Sequence, residues 1–568
     1  MRRYVARALV CFIVLPLLVC EGRGEWHVWT AGPAVRVRRD APPEEAKAVR
    51  LAAARNETES FQILMRCDAP GRGVNVEASD LRGPGGTVLA GRDARLFRQH
   101  ALEITIPTYR HDDFKPGWYP DPLIPFRHPL TGEPLPKARL VAVPFDLPAN
   151  ETHGFWVDLC VPADARPGEY AGTYRVTAEG RTPVEVPVTL TVWDFALPRA
   201  SALVTALGSP AARMRGYYRE RAKAGKEEEP ADWAAVEAQC AEMLTRHRVN
   251  ASPTSDAMWP KPQPDGTLAL SAEQVAALRA FVDTYHVNAL MVPHPKNFAK
   301  DPEKERDKLH AYLRAWDRAA EELQRPGLVF YTYLLDEPND AEAYRYVQTW
   351  GKAVREAKSV VKVLVVEQTW TQDEKWGDLY GAVDIWCPLF SLFKAESAAK
   401  RQALGETVWT YTALCQGEPT PWWHIDWPLL NYRVPAWMAW RYRIRGILYW
   451  GGMSYWNQID DPWTDSKTYD RRKDGKGHLW NGEGTVVYPG RACGYDGIAP
   501  SLRLKALRDG IEDYEYLAIL ERAGRAAEAE PVVLSLAESF FKWEKDPVAY
   551  EKARARLAEM IVAGAKPR

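Results

Sequence analysis

Short apolar runs alternate with amphipathic stretches between residues 200 and 450, and this alternation constrains the fold more than any other feature. Eight runs have the length of buried strands, at residues 202–207, 249–253, 287–293, 328–335, 363–366, 383–389, 407–414 and 446–450. Stretches with helical periodicity lie between them, at residues 232–247, 272–285, 303–322, 340–358, 397–403 and 429–443. Strands that alternate with helices indicate parallel strands joined by crossover helices. Eight such units predict a TIM-like (β/α)8 barrel.

The residues on either side of this region have different patterns. Before residue 200, alternating Val184, Val186, Val188, Leu190 and Val192 and the turn-rich residues 167–172 indicate short strands without helices. After residue 500, apolar residues recur at helical spacing, which predicts helices with one apolar face. We therefore expect a multi-domain protein, with a β-sandwich over residues 25–199, the (β/α)8 barrel over residues 200–500 and helices packed on the barrel over residues 501–568.

The N-terminus resembles an export signal. Three arginines lie within the first seven residues, and residues 8–20 are almost wholly apolar. Thirteen apolar residues are too few to cross a bilayer but suit a secretory signal, so we expect residues 1–24 to be a signal peptide and the protein to be exported. Residues 17–20, Leu-Leu-Val-Cys, also resemble a lipoprotein signal, in which case Cys20 would carry the lipid. No later segment is apolar enough to predict a transmembrane helix.

Charge and cysteine content exclude several classes of function. The formal net charge is −1, which gives no electrostatic basis for binding nucleic acid. The eight cysteines form no C-x-x-C or Cys/His cluster, so we expect no metal site, and the sequence implies no organic cofactor. Cys67 and Cys160 both precede residue 200, and we expect that they could pair after export. Oligomeric state is left open.

Residues 331–338, YTYLLDEP, combine a buried strand with two adjacent acids, Asp336 and Glu337, and a terminating Pro338. Isolated charges at the end of an apolar strand are costly unless they are paired or used. The alternative to a functional role is a loop acid followed by a helix cap, but Asp340 could supply that cap alone. Because barrel active sites form at the carboxyl ends of strands, we interpret Asp336 and Glu337 as catalytic.

Aromatic residues gather at the other predicted strand ends, as expected where flat sugar faces stack. The chain has 23 Trp and 25 Tyr, and a large aromatic core is the alternative explanation. Trp386 and Trp409 fit the core as well as they fit a sugar site. The candidate substrate-binding residues are His294, Glu367, Trp370, Tyr411, Trp423, Trp450 and Trp456.

The adjacency of the two acids favours one mechanism. A retaining glycosidase usually has two carboxylates about 5–5.5 Å apart on opposite faces of the sugar, which neighbouring residues seldom provide. Adjacent acids suit substrate-assisted catalysis, in which the 2-acetamido oxygen of the substrate attacks C1. Asp336 would then orient and stabilise the acetamido nitrogen, while Glu337 acts as general acid and then as base. An apolar setting would help Glu337 to stay protonated.

Four segments together resemble glycoside hydrolase family 123 and the wider group catalogued as domain of unknown function 4091. They are YTYLLDEP, Gly117–Pro125 (GWYPDPLIP), residues 484–490 (GTVVYPG) and residues 504–517 (LKALRDGIEDYEYL). The resemblance covers nearly the whole mature chain and implies a β-N-acetylgalactosaminidase with an N-terminal β-sandwich, a (β/α)8 barrel and an adjacent Asp-Glu pair. Carried over, Asp336 stabilises the acetamido group, Glu337 is the acid/base, and we expect Tyr411 and Trp450 to line the acetamido pocket.

Three functions remain open from the sequence. The first is an exported hexosaminidase, favouring galactosamine, that acts on glycans with a terminal N-acetylhexosamine. The second is a retaining glycosidase for sugars without an acetamido group, with Glu337 as acid and Glu367 as nucleophile. The third is a surface glycan-binding protein without catalytic activity.

In the C-terminal helix, we expect Glu512 and Asp513 to be solvated or paired with Arg503 or Arg508.

Overall fold

The computed structural model describes residues 25–253, 258–265, 267–472, 475 and 477–565. Residues 25–200 are rich in β-sheet. The strands are β1 (Trp26–Ala31), β2 (Val49–Arg55), β3 (Glu57–Cys67), β4 (Gly71–Ala78), β5 (Leu81–Arg82), β6 (Val88–Leu89), β7 (Arg95–Ile104), β8 (Gly117–Pro125), β9 (Phe145–Leu147), β10 (His153–Val161), β11 (Gly168–Thr177) and β12 (Val184–Ala196).

These strands form two sheets around a shared core. One sheet has the order β1-β3-β10-β7-β8, and the other has the order β2-β12-β11-β4-β9, with β5 and β6 attached at β11. Inward-facing residues of both sheets, such as Ile63 and Val188, are buried in the same apolar cluster. The alternation of Val184 to Val192 is therefore confirmed as one buried and one outward face of β12.

Cys67 and Cys160, which could have paired on sequence grounds, are both free thiols. Antiparallel pairing places Cys160 of β10 opposite Thr58, near the start of β3, whereas Cys67 is the last residue of β3. The register therefore separates the two cysteines by most of the length of a strand, beyond the reach of a disulfide.

Residues 204–448 alternate strands and helices as the sequence predicts. The strands are β13 (Val204–Ala206), β14 (Lys261–Pro262), β15 (Leu268–Ala269), β16 (Ala289–Met291), β17 (Val329–Asp336), β18 (Val361–Val366), β19 (Ile385–Trp386), β20 (Thr407–Tyr411) and β21 (Gly446–Leu448). The helices are α1 (Pro210–Lys223), α2 (Trp233–Arg246), α3 (Ala272–Tyr285), α4 (Arg306–Leu323), α5 (Ala341–Glu356), α6 (Ala395–Ala403) and α7 (Leu430–Arg441). Residues 210–223, which are not among the helices predicted from the sequence, form α1, and the Ser209 side chain caps it.

A seven-stranded parallel sheet with the order β13-β21-β20-β19-β18-β17-β16 curls into a nearly closed barrel. The predicted eighth strand, residues 249–253, is not a strand. Asn250 bridges the two edges of the sheet instead: its backbone N–H donates to Thr205 Oγ1 at 2.7 Å, and its side-chain amide donates to the Ala289 carbonyl at 2.8 Å. Side-chain hydrogen bonds thus replace a backbone ladder where Pro253, which has no N–H, follows.

The barrel interior is filled by side chains. Tyr331 and Trp409 meet edge to face there, with ring centroids 5.0 Å apart. Trp386 is buried on the other side of the sheet, in the apolar layer that also contains residues of α4 and α5. A Cβ atom on Gly446 would lie 2.5 Å from the Trp409 ring, so glycine makes room for the indole. Trp386 and Trp409 are therefore core residues rather than sugar-stacking residues.

The C-terminal part contains β22 (Tyr469–Asp470), β23 (Leu479–Trp480), β24 (Tyr488–Pro489), β25 (Ile498–Ala499), α8 (Leu502–Arg522), α9 (Ala526–Leu536), β26 (Ala537–Ser539), β27 (Lys542–Trp543) and α10 (Pro547–Ala565). Helix α8 is buried on nearly every side rather than on one face. It packs against α7 of the barrel and also contacts β8 of the N-terminal sheets. In the described part of the chain, no helix is long and apolar enough to cross a membrane.

Ion pairs explain why the buried α8 carries so many charges. Lys505 Nζ lies 2.6 Å and Arg508 Nη1 3.1 Å from the Asp158 carboxylate of β10. Glu512 lies 3.6 Å from Arg508, as one of the sequence alternatives predicts, but neither acid is solvated. Asp513 pairs with Arg433 at 2.6 Å and with Arg554 at 3.1 Å, rather than with Arg503 or Arg508. The charged RDGIEDYEYL segment therefore joins the sheets, the barrel and the last helix.

Candidate active site

A bulge in β17 directs the first acid toward the barrel mouth. Tyr333 pairs with Leu364, and the register then shifts so that Leu335 pairs with Val365 and Asp336 with Val366. In a regular strand, residues three apart point to opposite faces, but one extra residue reverses that alternation. Tyr333 and Asp336 consequently share a face, and the Tyr333 hydroxyl donates a hydrogen bond of 2.7 Å to Asp336 Oδ1.

The backbone of Glu337 is in the left-handed region, with φ of 42°. A non-glycine residue adopts this conformation only at a cost, and such residues concentrate at functional sites. The Glu337 N–H donates to the Val366 carbonyl at 3.1 Å, and buried Pro338 follows. Asp340 caps α5 through Ala343 N–H at 2.8 Å, so the helix cap does not require Asp336 or Glu337.

Each of the two acids accepts a hydrogen bond from a different tyrosine. The Tyr411 hydroxyl, from the end of β20, donates a short hydrogen bond to Glu337 Oε1, just as Tyr333 binds Asp336. Burial raises the pKa of both phenols, and the adjoining carboxylate raises it further in each case. Both phenols therefore stay protonated and donate, while Asp336 and Glu337 remain solvent-exposed. The structure thus brings Asp336, Glu337 and Tyr411 together at the barrel mouth.

Glu367 lies close to this site but is buried, with 2% of its surface exposed. Its Oε1 accepts hydrogen bonds of 2.6 Å from Gln368 N and from the Gln372 side chain. Burial, as the main cause, and the charge of Glu337 raise the pKa of Glu367 to about 7. Glu367 is therefore a buried carboxyl within electrostatic range of Glu337.

His294 and Trp370 are at strand ends, as predicted, with other partners. The His294 Nδ1 accepts a hydrogen bond from Lys296 N, and its Nε2 lies 3.0 Å from the Leu334 carbonyl. Both ring nitrogens are thus used for structure, although the ring also lines a 310 Å³ groove beside Tyr333. Trp370 donates to the Leu392 carbonyl, and Lys394 Nζ lies 3.3 Å from its ring centroid.

Trp450 is half-buried at the end of β21 and is held from beneath. Its indole N–H donates a short hydrogen bond to the buried carboxylate of Glu483, and Tyr455 and Tyr469 pack beside it at 5.0 and 5.6 Å. Burial raises the pKa of Glu483 to about 7. The exposed part of Trp450 can therefore take part in an aromatic surface at the mouth.

The predictions for Trp423 and Trp456 are wrong, because both indoles are fully buried. Trp423 stacks on Tyr432 with centroids 5.1 Å apart and donates to the Asn431 carbonyl. Trp456 donates to the Val487 carbonyl and packs against Tyr217. Indoles that follow strands can turn into the helical layer as readily as toward the mouth, and composition does not distinguish the two cases.

Tyr333 and Glu483 are the site residues that the sequence analysis missed. Tyr333 is within the YTYLLDEP motif, but its pairing with Asp336 depends on the bulge, which has no sequence signal there. Glu483 directly precedes the GTVVYPG segment, and its burial beneath Trp450 could not be inferred from spacing. Among the described residues, no group of three or more His, Cys, Asp or Glu side chains is arranged to hold a metal ion.

Adjacent carboxylates at the end of a strand in a parallel barrel, each hydrogen-bonded by a phenol, form the candidate active site. Residues 293–520, which contain both acids and Tyr411, match the family model described as "Glycoside hydrolase 123, catalytic domain". Residues 293–520 are therefore similar to the catalytic domain of family 123, and this match supports glycosidase activity.

The fold also matches a solved member of that family. A family 123 glycoside hydrolase from Clostridium perfringens, reported for glycolipid glycan hydrolysis, aligns with a TM-score of 0.63 and 13% identity, covering 95% of this chain and 98% of that chain. At this identity the likeness concerns the fold. A family 39 glycoside hydrolase from Bacteroides cellulosilyticus aligns with a TM-score of 0.31 and 9% identity over 77% of this chain and 80% of that chain. This TM-score is too low to indicate a shared fold. A comparison with curated proteins finds no match.

Proposed function

We propose that the protein is a retaining β-N-acetylhexosaminidase that favours N-acetylgalactosamine and uses the acetamido group of its substrate as the nucleophile. The observation that carries this proposal is the pair of adjacent, exposed acids bound by separate phenols, Tyr333 on Asp336 and Tyr411 on Glu337. Separate partners allow the two acids to have separate roles at one strand end. The galactosamine preference rests on the resemblance to family 123.

The first half of the reaction uses both acids. The acetamido oxygen attacks C1 while Glu337 donates a proton to the leaving oxygen, so the C1–O bond breaks and an oxazolinium-like species forms. The acetamido N–H becomes more acidic as positive charge develops, and the Asp336 carboxylate accepts its hydrogen bond. The phenol of Tyr333 fixes the Asp336 carboxylate for this contact.

The second half reverses the proton transfer. Glu337, now ionised, takes a proton from water, which attacks C1 and reopens the five-membered ring. Two displacements at C1 retain the configuration of the sugar. The Tyr411 hydrogen bond stabilises the ionised form of Glu337 that exists between the two steps.

The burial of Glu367 argues against the alternative in which it is the nucleophile. A nucleophilic carboxylate must be ionised and must reach C1. Glu367 is 2% exposed, accepts hydrogen bonds at Oε1 from Gln368 and Gln372, and has a pKa raised to about 7. These features suit a supporting residue better than an attacking one.

Hydrolysis of three aryl β-glycosides by the purified protein tests the proposal. The substrates are the N-acetylgalactosaminide, the N-acetylglucosaminide and the plain galactoside with the same leaving group. We expect turnover only of the two acetamido sugars, with the galactosaminide preferred. Cleavage of the plain galactoside at a comparable rate would exclude the requirement for an acetamido nucleophile.

We also propose that the protein is exported through residues 1–24, which lie outside the described residues. The sequence of that segment alone supports this proposal. Mass spectrometry of the N-terminal peptide, from protein isolated from the native cell envelope, tests this proposal. We expect about the first 20 residues to be absent. A diacylglyceryl group on Cys20 would indicate the lipid-anchored form, and a chain that still begins at Met1 would contradict export by a cleaved signal.

A further inference from the structure

The loop between β7 and β8, residues 105–116, reaches from the N-terminal sheets to the barrel. Thr108 donates from its backbone N and from Oγ1 to the buried Asp426 carboxylate, at 2.8 and 2.7 Å. The His111 Nδ1 lies 3.3 Å from the same carboxylate, and Tyr109 N–H donates to the Leu479 carbonyl at 2.8 Å. The loop is therefore held firmly in place by barrel residues on both sides of Arg110.

Arg110 is an exposed, positively charged residue of this fixed loop. Its φ is 62°, a strained conformation that the surrounding contacts impose. Its guanidinium carbon lies 5.0 Å from the Tyr109 ring centroid. A Cβ atom on Gly417 would lie 3.5 Å from the Arg110 Cβ and Cδ, so the arginine stem passes close to the Gly417 backbone. Within the described residues, no carboxylate forms an ion pair with Arg110.

The segment that contains Gly417 lies between Arg110 and the residue that binds Glu337. Residues 412–417 follow directly after Tyr411, which binds Glu337. The carbonyl of Leu414 in this segment accepts the Trp480 indole N–H at 2.9 Å, and the Trp480 ring lies 5.7 Å from Tyr109. In the same segment, burial is the main cause that raises the pKa of the Cys415 thiol. The charge of Glu337 raises this pKa further, whereas the charge of Arg110 lowers it. Arg110 thus belongs to the Glu337 side of the mouth.

Asp336 faces a different part of the mouth. Its partner Tyr333 lines the groove formed with His294 and Met291. Because the acid that protonates the leaving oxygen lies beside the departing sugar, the Glu337 side is the leaving-group side. Half-buried Tyr469, whose ring lies 5.6 Å from both Trp450 and Trp480, gives this side an aromatic surface as well.

We propose that Arg110, supplied by the N-terminal sheets, binds the sugar on the leaving-group side of the cleaved bond. This inference rests on the proposed role of Glu337. A guanidinium has five donors in a planar fork, which suits two neighbouring hydroxyl groups of a pyranose ring. The preferred substrate is then a glycan whose terminal N-acetylhexosamine is linked to a second pyranose with vicinal hydroxyls. The N-terminal region acts in substrate selection as well as in the fold.

A pair of substrates with one difference tests this proposal. The methyl β-N-acetylgalactosaminide and the disaccharide with galactose in place of methyl have the same terminal sugar and an alkoxide leaving group. In Arg110→Ala, we expect kcat/KM for the disaccharide to fall at least about tenfold, the usual loss for a charge-assisted hydrogen bond, and kcat/KM for the methyl glycoside to stay within about twofold. Equal losses on both substrates, or no loss on the disaccharide, would overturn the proposal.

Arg443→Ala is the matched control. Arg443 is also exposed and has a positive φ of 54°, but it precedes β21 and so lies at the opposite end of the barrel. We expect it to change neither rate. If the wild type cleaves a different terminal sugar, the methyl glycoside and the disaccharide of that sugar are compared instead. If it cleaves neither, titration of wild type and Arg110→Ala with both glycosides decides: a wild-type preference for the disaccharide that Arg110→Ala abolishes supports the proposal, and an unchanged preference overturns it.

Discussion

The hydroxyl of Tyr411 donates a hydrogen bond to the carboxylate of Glu337 across the mouth of the barrel. The two residues come from the ends of β20 and β17, which are separated in the sheet by β19 and β18. This contact spans the opening and fixes the orientation of an exposed acid on a strained backbone. A catalytic group is effective only when neighbouring side chains hold it in one geometry.

Tyr411→Phe should reduce kcat on aryl N-acetylhexosaminides by about 10- to 100-fold, because it removes a hydrogen bond to a charged group, worth about 1.5–3 kcal/mol. The effect should be larger on kcat than on KM, since Glu337 gains charge only during the reaction. Tyr380→Phe, which alters an exposed tyrosine on another loop, is the control. A variant that loses only substrate affinity would contradict a role on Glu337.

Glu337→Gln should abolish hydrolysis of substrates with poor leaving groups. The loss should be much smaller with an activated aryl leaving group, which needs little protonation to depart. Rates measured across a series of phenol leaving groups check this expectation. The exposed Glu374→Gln should behave as wild type. Equal loss with every leaving group would count against Glu337 as the acid.

Asp336→Asn should lower kcat with little effect on ground-state binding, because the charge of Asp336 matters most when the oxazolinium-like species forms. Tyr333→Phe should lower kcat in the same direction by a smaller factor, since it removes only the group that orients Asp336. Steady-state kinetics and product-binding titrations separate the two effects. An unchanged kcat in Asp336→Asn would refute its assigned role.

Glu367→Gln should change the pH dependence of activity near neutrality. The pKa of Glu367 is about 7, so the residue gains its negative charge as the pH rises through that value. The charge of Glu337 is one cause of this raised pKa, so the ionisation of Glu367 is coupled to the active site. The variant lacks this ionisation, so its kcat/KM profile should lose the change near pH 7 that wild type shows. A complete loss of activity at every pH would instead support Glu367 as nucleophile.

His424 should make the protein less stable in mild acid. Its ring is fully buried, and burial lowers its pKa to about 3, against about 6.5 in an unfolded chain. Between these two pH values His424 binds a proton in the unfolded state but not in the folded state. The free energy of unfolding is therefore unaffected by His424 above pH 6.5 and decreases as the pH falls toward 3. The decrease in Tm from pH 7 to pH 5 should be smaller in His424→Gln than in wild type. His27→Gln, which alters a half-buried ring at the surface of β1, should keep the wild-type decrease.

The sequence predicts the barrel and the acid pair because periodicity and a proline after two acids are local signals. Helix α3 is predicted to the residue, since Ser271 and Gln274 form a capping box at its start. The missing eighth strand was not predictable, because an apolar run does not reveal that Asn250 will bridge the gap with its side chain. The functional meaning of Tyr333 depends on a bulge, and that of Arg110 on contact between distant segments. Both are properties of the folded chain.

If the acetamido oxygen of the substrate is the nucleophile, the rate of cleavage must depend on how readily that oxygen attacks C1, and a fluorinated series of substrates measures this dependence. Aryl galactosaminides carrying acetamido, difluoroacetamido and trifluoroacetamido groups differ chiefly in the nucleophilicity of that oxygen. We predict that kcat/KM falls steeply with each added fluorine, because electron withdrawal weakens the attacking group. Rates that are nearly equal across the series would contradict the account and require a nucleophile from the protein.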